Sequence, residues 1–535
     1  MKNTKMKWQI IKIIAIVLFA FGLFYVLLPA INFKNPDFYY YLSIVCIFSF
    51  IVSIPEILFF KGFKNITEKK PKNAIVFLVI FLIIIVGPTV INFFASPLFN
   101  ADSYGNRIEI NDKNNFVDDV KPVSFNSLPL LDKDSSQKLG DRVMGQMPEL
   151  VSQYRVSNLY TQINYNEDII RVTPLEYADI IKYFTNRKNG IQGYITVNSV
   201  NGEAKLIKLT KGMKYVPSAM FGEDLYRHLR FSYPTLIFGT ETFEIDNEGN
   251  PSWIVPILNY AGVGLKESVT GVIVVNPISG EMKRYNVNEI PSWIDHVYPS
   301  ELIISQVNDW GKYQGGFFNS IFGQKGVVQT TTGYNYSIIN DDVYLYTGIT
   351  STSSDESNLG FILTNLRTKE TNFYSVPGAE EYSAMASAEG QVQQMKYTST
   401  FPLLINLNNR PTYLVSLKDA AGLVKMYAFV DVVDYQKVVV TDSSLGIERA
   451  KENYLNNVDL KIDEETKETK EITIIDIKPG IIEGSTYYYI IDNDSKKYKV
   501  NINISEKILP FLKKGDQIII IYIPNVDLNI ITEVR

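Results

Sequence analysis

The 535-residue sequence predicts an α+β fold: three N-terminal transmembrane helices, a β-rich ectodomain of repeated hairpin units with helical insertions, and a small C-terminal OB-like β-barrel. Three observations predict it. Three long apolar runs occupy the first hundred residues, a thirteen-residue segment recurs at an offset of 78 residues, and five short apolar segments separated by polar turns follow residue 470.

The apolar runs lie at residues 10–31, 38–60 and 74–94. Each is about as long as the ~20 residues that a helix needs to cross a hydrocarbon core. Residues 1–97 are therefore predicted to be a three-helix transmembrane anchor in the lipid bilayer. A cleaved signal peptide is a weaker interpretation of the first run, because no convincing small-residue cleavage site follows it.

Lysines set the expected orientation of the helices. They precede the first run and fill the loop at residues 61–72, whereas the loop between the first two runs carries only Lys34 and Asp37. Because cytoplasmic loops carry an excess of lysine and arginine, the N-terminus and the second loop are expected in the cytoplasm. The prediction is a multi-pass protein of the cell membrane whose large C-terminal region is extracytoplasmic.

Composition restricts the chemistry of that C-terminal region. The only cysteine, Cys46, lies in the second apolar run, so the ectodomain can hold no disulfide and no thiolate-bound metal. The chain has 52 basic and 57 acidic residues, of which 10 and 3 lie in the first hundred, so the remainder is acidic by 12 charges. This balance disfavours nucleic acid as a partner.

The polar stretch at residues 98–147 has weak periodicity and predicts a juxtamembrane spacer or a loosely packed wrap. Helices are predicted at residues 148–162 and 174–187, the second with Thr173 as its N-cap and Pro174 in its first turn. From residue 190 the pattern changes to the alternation that is typical of strands.

The ectodomain at residues 148–460 contains an internal repeat. Residues 193–205 match residues 271–283 at seven of thirteen positions without a gap, and residues 360–370 form a weaker third copy. Each copy predicts two strands joined by an Asn-led turn. Gly202 and Gly280 are therefore expected at equivalent turn positions with positive φ. Helical insertions are predicted at four places: residues 221–230, 301–310, 379–395 and 442–457.

A charged segment at residues 463–470 is the predicted boundary of the last domain, residues 471–535. Five strands are predicted there, at residues 472–477, 485–492, 497–504, 517–524 and 529–534, with a short helix at 508–512. Five strands with a helix after the third resemble an OB-type barrel.

Candidate catalytic groups are scarce. His296 follows Asp295, but neighbouring residues point in different directions, so this segment is predicted to be a packed corner between units. His228 is predicted on a helix surface. Glu381 and Glu389 could share a helix face, as a carboxylate pair or as a solvated face.

Motifs for catalysis or metal binding are not found in the sequence: it has no G-x-S-x-G, no H-E-x-x-H and no Walker loop. The acidic turns at residues 246–250 and 492–494 lack the spacing of a calcium loop and predict hairpin turns. No catalytic residue, metal site or cofactor is therefore predicted, and the chain is expected not to be an enzyme.

The hairpins at residues 193–206 and 271–287, with their Val-Asn-x-x-x-Gly-Glu-x-Lys turns, resemble those of PepSY-type modules. The match covers fewer than 20 residues per copy. It implies a secreted or membrane-tethered domain linked with peptidase restraint and envelope regulation. The whole chain also resembles a family of Firmicutes membrane proteins with N-terminal transmembrane segments and a large ectodomain. Neither resemblance supplies a catalytic residue.

The predicted function is that of a non-catalytic, membrane-anchored cell-envelope protein. Its extracytoplasmic β repeats are expected to bind a protein, a peptide or a wall polymer and to regulate an envelope process. Two alternatives remain: an extracytoplasmic hydrolase or wall-modifying enzyme that uses carboxylates, and an accessory subunit of a transport or assembly complex.

Overall fold

The computed structural model describes residues 2–61, 72–120, 128–166, 168–339, 341–352, 357–457, 468–482, 485–524 and 528–535. They form two compact units, Met1–Tyr454 and Leu455–Arg535. The mixed α+β class that the sequence predicts is confirmed. Most of the predicted charged linker, residues 463–467, lies outside the described residues.

The chain begins with three long helices: α1 Lys2–Leu27, α2 Pro36–Lys61 and α3 Lys72–Ala95. Each contains a stretch long and apolar enough to cross a membrane, as the sequence predicts. The helices pack through aromatic side chains: the rings of Phe19 and Phe48 stack at 3.8 Å, and those of Phe50 and Phe77 meet edge to face.

The ends of these helices bind the following region directly. Asn92 exchanges two hydrogen bonds with the main chain of Val263, at 2.7 and 2.9 Å. The main-chain N–H of Ile31 donates to the carbonyl of Pro234 at 2.8 Å. The anchor and the β-rich region therefore belong to one compact unit.

The predicted spacer, residues 98–147, contains ordered elements: α4 Pro97–Gly105, β1 Asn111–Asn114, α5 Phe116–Asp119 and α6 Lys133–Gly145. The helix α6 buries Ser135, Ser136 and Gly140. These small side chains allow a close approach to the neighbouring sheet, and they explain why the stretch shows little apolar periodicity.

The β-rich body, residues 148–454, follows. It begins with α7 Pro148–Val151. The first sheet contains β2 Tyr154–Val156, β3 Thr161–Tyr165, β4 Asp168–Tyr177, β5 Ile191–Asn198 and β6 Ala204–Met213. The second sheet contains β7 Ile237–Phe238, β8 Thr242–Ile245, β9 Pro251–Asn259, β10 Ser268–Val275 and β11 Met282–Asn286. The helices α8 Ile180–Asn186 and α9 Leu225–Ser232 are inserted between strands.

Two further sheets complete the body. The third contains β12 Val328–Thr330, β13 Asn335–Ile339, β14 Asp342–Ser351, β15 Ser357–Asn365, β16 Thr371–Tyr374 and β17 Gly378–Ala379, with β1 at its edge. The fourth contains β18 Thr398–Ser399, β19 Leu403–Leu407, β20 Arg410–Lys418, β21 Val424–Asp431 and β22 Val438–Asp442. Four helices accompany them: α10 Ser300–Tyr313, α11 Gly316–Phe318, α12 Glu381–Gln391 and α13 Ile447–Asn457.

The four sheets share one strand order. In each, two short strands pair one after the other with the same long strand, which leads into the next two strands of an antiparallel meander. Neighbouring sheets pack face to face. The first and second share one apolar core, the second and third share another, and the third and fourth share a third. The long strands are thus buried on both faces.

The matched hairpin turns have the geometry expected from the sequence. Gly202 and Gly280 have φ of +76° and +77°, which confirms their predicted positive φ. Each glycine N–H donates to the carbonyl of the asparagine four residues earlier, Asn198 or Asn276. Each asparagine side chain accepts two main-chain N–H groups of its turn, which fixes the turn locally.

The first of the two predicted helices is wrong, and the second begins later than predicted. Residues 148–162 form only one helical turn before β2 and β3, and Pro174 lies in β4 rather than in a helix. Proline has no main-chain N–H to donate to a neighbouring strand. None is required at Pro174, because it lies opposite the gap between β2 and β3. The helix α8 begins later, where Asp179 accepts from the N–H groups of Ile181 and Lys182. The four predicted helical insertions are confirmed by α9, α10, α12 and α13.

The second unit contains a closed barrel of five strands: β23 Glu468–Ile482, β24 Ser485–Asp492, β25 Lys497–Asn501, β26 Gln517–Ile523 and β27 Asn529–Val534. All five were predicted. The predicted helix at residues 508–512 is a single 3₁₀ turn, Leu509–Phe511. Inside the barrel, the carboxylate of Asp492 accepts from Lys470 at 2.8 Å and from Tyr498 at 2.9 Å.

Alanine at the two turn glycines tests their positions. A Cβ at positive φ costs ~1–2 kcal/mol, and at Gly280 it would also lie 2.5 Å from the Tyr215 ring, against 3.4 Å from two leucine methyl groups at Gly202. We expect both variants to lower the melting temperature in detergent, G280A more than G202A. The control is G145A, whose Cβ meets no atom within 4 Å. Equal losses in all three variants would contradict this account.

Candidate binding cavity

A cavity of about 760 Å³ lies in the first unit, between the second sheet, α10 and the loop at residues 264–267. Apolar side chains form part of its wall: Phe238, Pro256, Leu258, Leu265 and Leu302. Polar and charged side chains form most of the rest: Tyr104, Arg107, Thr240, Thr242, Lys266, Glu267, His296, Ser300, Glu301, Ser305, Asp309, Tyr334 and Tyr336. Apolar walls with a few polar groups are typical of ligand sites.

The cavity lies beside the ends of the apolar helices. Tyr104 lines it, and the hydroxyl of Tyr104 donates to the carbonyl of Ala95, the last residue of α3, at 3.0 Å. Gly264 lines it too, and its N–H donates to the carbonyl of Lys34 in the loop between α1 and α2 at 2.9 Å. The cavity therefore lies next to the ends of all three apolar helices.

Charged groups on one side of the cavity are linked through Arg107. Its guanidinium donates to the carboxylate of Asp309 at 2.5 Å and to the main-chain carbonyl of Glu267 at 2.7 Å. Burial raises the pKa of the Asp309 and Glu267 carboxyls, although Arg107 opposes both shifts. Burial and the nearby Arg107 lower the pKa of Lys266. This wall thus holds carboxyls that ionise less readily than usual.

The inner end of the cavity contains His296, Ser300 and Tyr336. The hydroxyls of Ser300 and Tyr336 share a hydrogen bond of 2.9 Å, and the Tyr336 ring meets the His296 ring edge to face at 5.7 Å. Nε2 of His296 lies 2.7 Å from the carbonyl oxygen of Gln162. Arg171 pairs with Gln162 across β3 and β4 and is 4% exposed, and burial lowers its pKa. Polar groups therefore continue from the cavity towards the first sheet.

Two buried carboxylates hold the segment that carries His296. Glu244 is fully buried and accepts from the main-chain N–H groups of Asp295 and His296, at 2.9 and 3.2 Å. Asp295 is 2% exposed and accepts from the N–H of Asn164 at 2.9 Å. Burial, and then the charge of Glu244, raise the pKa of Asp295. As the sequence predicts, Asp295 and His296 point to different partners.

The other candidates from the sequence lie apart from the cavity. His228 is half-buried, with Nε2 2.8 Å from the carbonyl of Gly280 and its ring against Tyr215, so the predicted surface position is wrong. Glu381 is buried and accepts from Tyr346 at 2.9 Å. Glu389 accepts from Ser399 at 2.7 Å. Each of these two carboxylates therefore accepts a hydrogen bond from another side chain of the protein, and they form neither a solvated face nor a carboxylate pair.

Metal-binding clusters were not predicted. Within the described ranges of the chain, no three His, Cys, Asp or Glu side chains are placed to hold a metal ion. Asp246 accepts from the N–H groups of Glu248 and Asn250, as in an ordinary hairpin turn.

Comparison with known proteins does not assign a family. No protein-family model and no curated protein matches the chain. Among solved structures, the N-terminal domain of Nup159 aligns with 7% identity over 72% of this chain and 97% of that chain, at a TM-score of 0.13. A similarity this low carries no argument about fold or function.

The pH dependence of stability tests the buried pair. Because the pKa of Asp295 is higher in the folded protein than in the unfolded chain, its stabilising effect is complete at low pH and is lost as pH rises above ~4. Asp295→Asn keeps an acceptor for Asn164 without the charge. We expect it to be more stable than wild type at pH 7 and to lose this advantage towards pH 4.

Thermal melts from pH 4 to pH 8 measure this difference, with Glu248→Gln, in an exposed turn, as the control. A D295N effect that is the same at every pH would show that Asp295 does not titrate in the folded state as described.

Proposed function

We propose that this chain is a membrane-anchored, extracytoplasmic binding protein that takes up a peptide or a wall-polymer segment in the juxtamembrane cavity. The cavity volume of about 760 Å³ carries the proposal. Ligand sites span ~300–1,000 Å³ and combine apolar walls with a few orienting polar groups. Binding there would allow the protein to regulate an envelope process without catalysing a reaction.

The chemistry of the lining supports a peptide or glycan ligand. Tyr104, Tyr334 and Tyr336 offer aromatic surface together with hydroxyls. Arg107 and Asp309 supply donors and acceptors of both charge signs. A mixed lining of this kind suits a ligand that is itself polar and uncharged overall, and the acidic balance of the region beyond residue 100 disfavours a polyanion.

The orientation proposed from the lysines places the cavity on the outer side of the cell membrane. The lysine-rich segment precedes α3 in the chain, whereas Ala95, the last residue of α3, contacts the cavity wall through Tyr104. If the loop is cytoplasmic, the cavity faces the cell envelope.

We further propose that the four sheets are repeats of one unit, arranged radially like the blades of a four-bladed propeller. The shared strand order and the packing of successive sheets support this. The segment that leads into α6 joins the fourth sheet through the Lys418–Asp132 ion pair, while α6 itself packs on the first sheet. The strand order β23-β24-β25-β27-β26 supports an OB-type barrel in the second unit.

A hydrolase is the second candidate function. Three carboxylates line the cavity, and burial raises the pKa of two of them, Glu267 and Asp309. A general acid at neutral pH requires such a raised pKa. Incubation with wall fragments followed by mass spectrometry separates the candidates: intact fragments support binding alone, and cleavage that Asp309→Asn abolishes supports a hydrolase.

Filling the cavity tests the binding proposal. Ser305 is an exposed residue of the cavity wall on α10, so Ser305→Trp places an indole in the space. Lys312→Trp puts the same group on the same helix outside the lining. We expect disaccharide-peptide fragments of peptidoglycan to bind the full chain in nanodiscs, at least tenfold more weakly in S305W and unchanged in K312W, by calorimetry.

A parallel titration with the stem peptide alone separates a peptide site from a glycan site. Equal affinity in the two tryptophan variants would place the ligand elsewhere, and absence of binding to the wild-type chain would refute a wall-fragment ligand.

Labelling of single cysteines tests the orientation, in a background with Cys46→Ala. Thr67→Cys lies in the lysine-rich loop, and Asn247→Cys lies in an exposed turn between β8 and β9. We expect an impermeant thiol reagent on intact cells to label only N247C, because the positive-inside rule puts the loop in the cytoplasm. Labelling of T67C alone would reverse the topology.

A further inference from the structure

Large apolar side chains are exposed on the body on both sides of the anchor. On the α3 side, the exposed fractions are 66% for Phe318, 48% for Ile321 and 80% for Phe322. On the α1 side, they are 68% for Ile181, 51% for Phe184 and 53% for Phe221. Clustered exposure of this kind marks an interaction surface. We call these two clusters the α3-side patch and the α1-side patch.

The α1-side patch is connected to the transmembrane stretch of α1. The ring of Phe231, on α9, meets those of Phe21 and Phe24 at 6.5 and 5.6 Å. Phe21 lies six residues before Leu27, where the apolar stretch ends. At ~1.5 Å per residue, Phe24 and Phe21 lie about 4.5 and 9 Å before the end of that stretch, and the Phe231 ring contacts both of them. Part of the β-rich body thus reaches the depth of the acyl chains.

Arg227 contacts both α1 and the α1-side patch. Its guanidinium lies 4.4 Å from the centre of the Tyr25 ring and donates to the carbonyl of Phe221 at 3.0 Å. The Phe221 ring lies 6.2 Å from that of Phe184, which extends the patch sideways from α1. Aromatic rings beside arginine are typical of the membrane–water interface.

The α3-side patch is continuous with the end of α3. The helix α4 follows α3 directly, and Phe99 on α4 meets Phe93 on α3 at 5.2 Å. The helix α11 packs against α4 and carries Phe318, and a π-helical turn with Ile321 and Phe322 follows it.

Charge favours a lipid surface at both patches. The only charged residue at positions 314–326 is Lys325, although the chain beyond residue 100 is acidic by 12 charges. Near Phe184 lie Lys182, Arg187 and Lys188, of which Arg187 pairs with Glu223 at 3.9 Å. Basic residues beside exposed aromatic side chains are the composition of segments that lie in the headgroup region.

We propose that both patches insert into the membrane leaflet at the C-terminal end of α3, so that the β-rich body lies on the lipid surface and not above it. The occupant of the patches is the lipid bilayer. This inference rests on the crossing of the membrane by the three helices and is independent of the ligand in the cavity.

Depth-dependent fluorescence quenching tests the proposal. Phe322→Cys and Phe184→Cys, each in a Cys46→Ala background, carry an NBD label in the full chain reconstituted in liposomes. Val433→Cys, at an apolar position that is 64% exposed in the turn after β21, is the matched control. Val90→Cys, on the exposed side of α3, reports whether that helix is in the bilayer.

We expect nitroxide-labelled lipid chains to quench the labels at positions 322, 184 and 90 at least threefold more than the label at 433, and aqueous iodide to show the reverse order. Iodide quenching at 322 and 184 as strong as at 433, with position 90 quenched by lipid, would overturn the proposal while keeping the helices in the membrane. Shielding from both quenchers would identify a protein partner as the occupant and would also overturn it.

Discussion

The burial of β9 on both of its faces is the constraint on which the β-rich body depends. Trp253 faces the core that the first two sheets share, and its neighbour Ile254 faces the core between the second and third sheets. A sheet with no solvated face requires that every polar group within it finds a partner in the protein. Glu244, on the strand next to β9, meets this requirement by accepting main-chain N–H groups from Asp295 and His296.

That requirement also shapes the candidate site. The segment that satisfies Glu244 carries His296 and leads directly to Ser300 at the start of α10, and both residues line the cavity. The main-chain N–H of Val297, in the same segment, donates to the carbonyl of Leu366 in the turn between β15 and β16 of the third sheet, at 3.1 Å. Three sheets therefore fix the inner end of the cavity, so a change in sheet packing would alter the cavity even without touching its wall.

The docking of the helix ends gives the cavity its position relative to the three apolar helices. Asn92 and Val263 exchange hydrogen bonds, and a Cβ on Gly264 would lie 2.6 Å from the ring of Pro36, so the anchor and the body meet closely. A body held this way keeps its cavity and its exposed aromatic side chains at a fixed level along the three helices. A flexible tether would leave both free to move away from the lipid.

The sequence by itself determined what depends on local pattern. Three apolar runs are long enough to cross a membrane, Gly202 and Gly280 occupy turns that need positive φ, and alternation marked the five barrel strands. It failed at Pro174, because a gap in the neighbouring strand makes proline acceptable in β4. The position and lining of the cavity were decided only by the tertiary structure. Arg107, Glu267 and Asp309 come from distant segments of the chain, and each is of a residue type that is common on protein surfaces. Their proximity follows from the stacking of whole sheets and the docking of helix ends, and such long-range packing has no periodic signal in the chain.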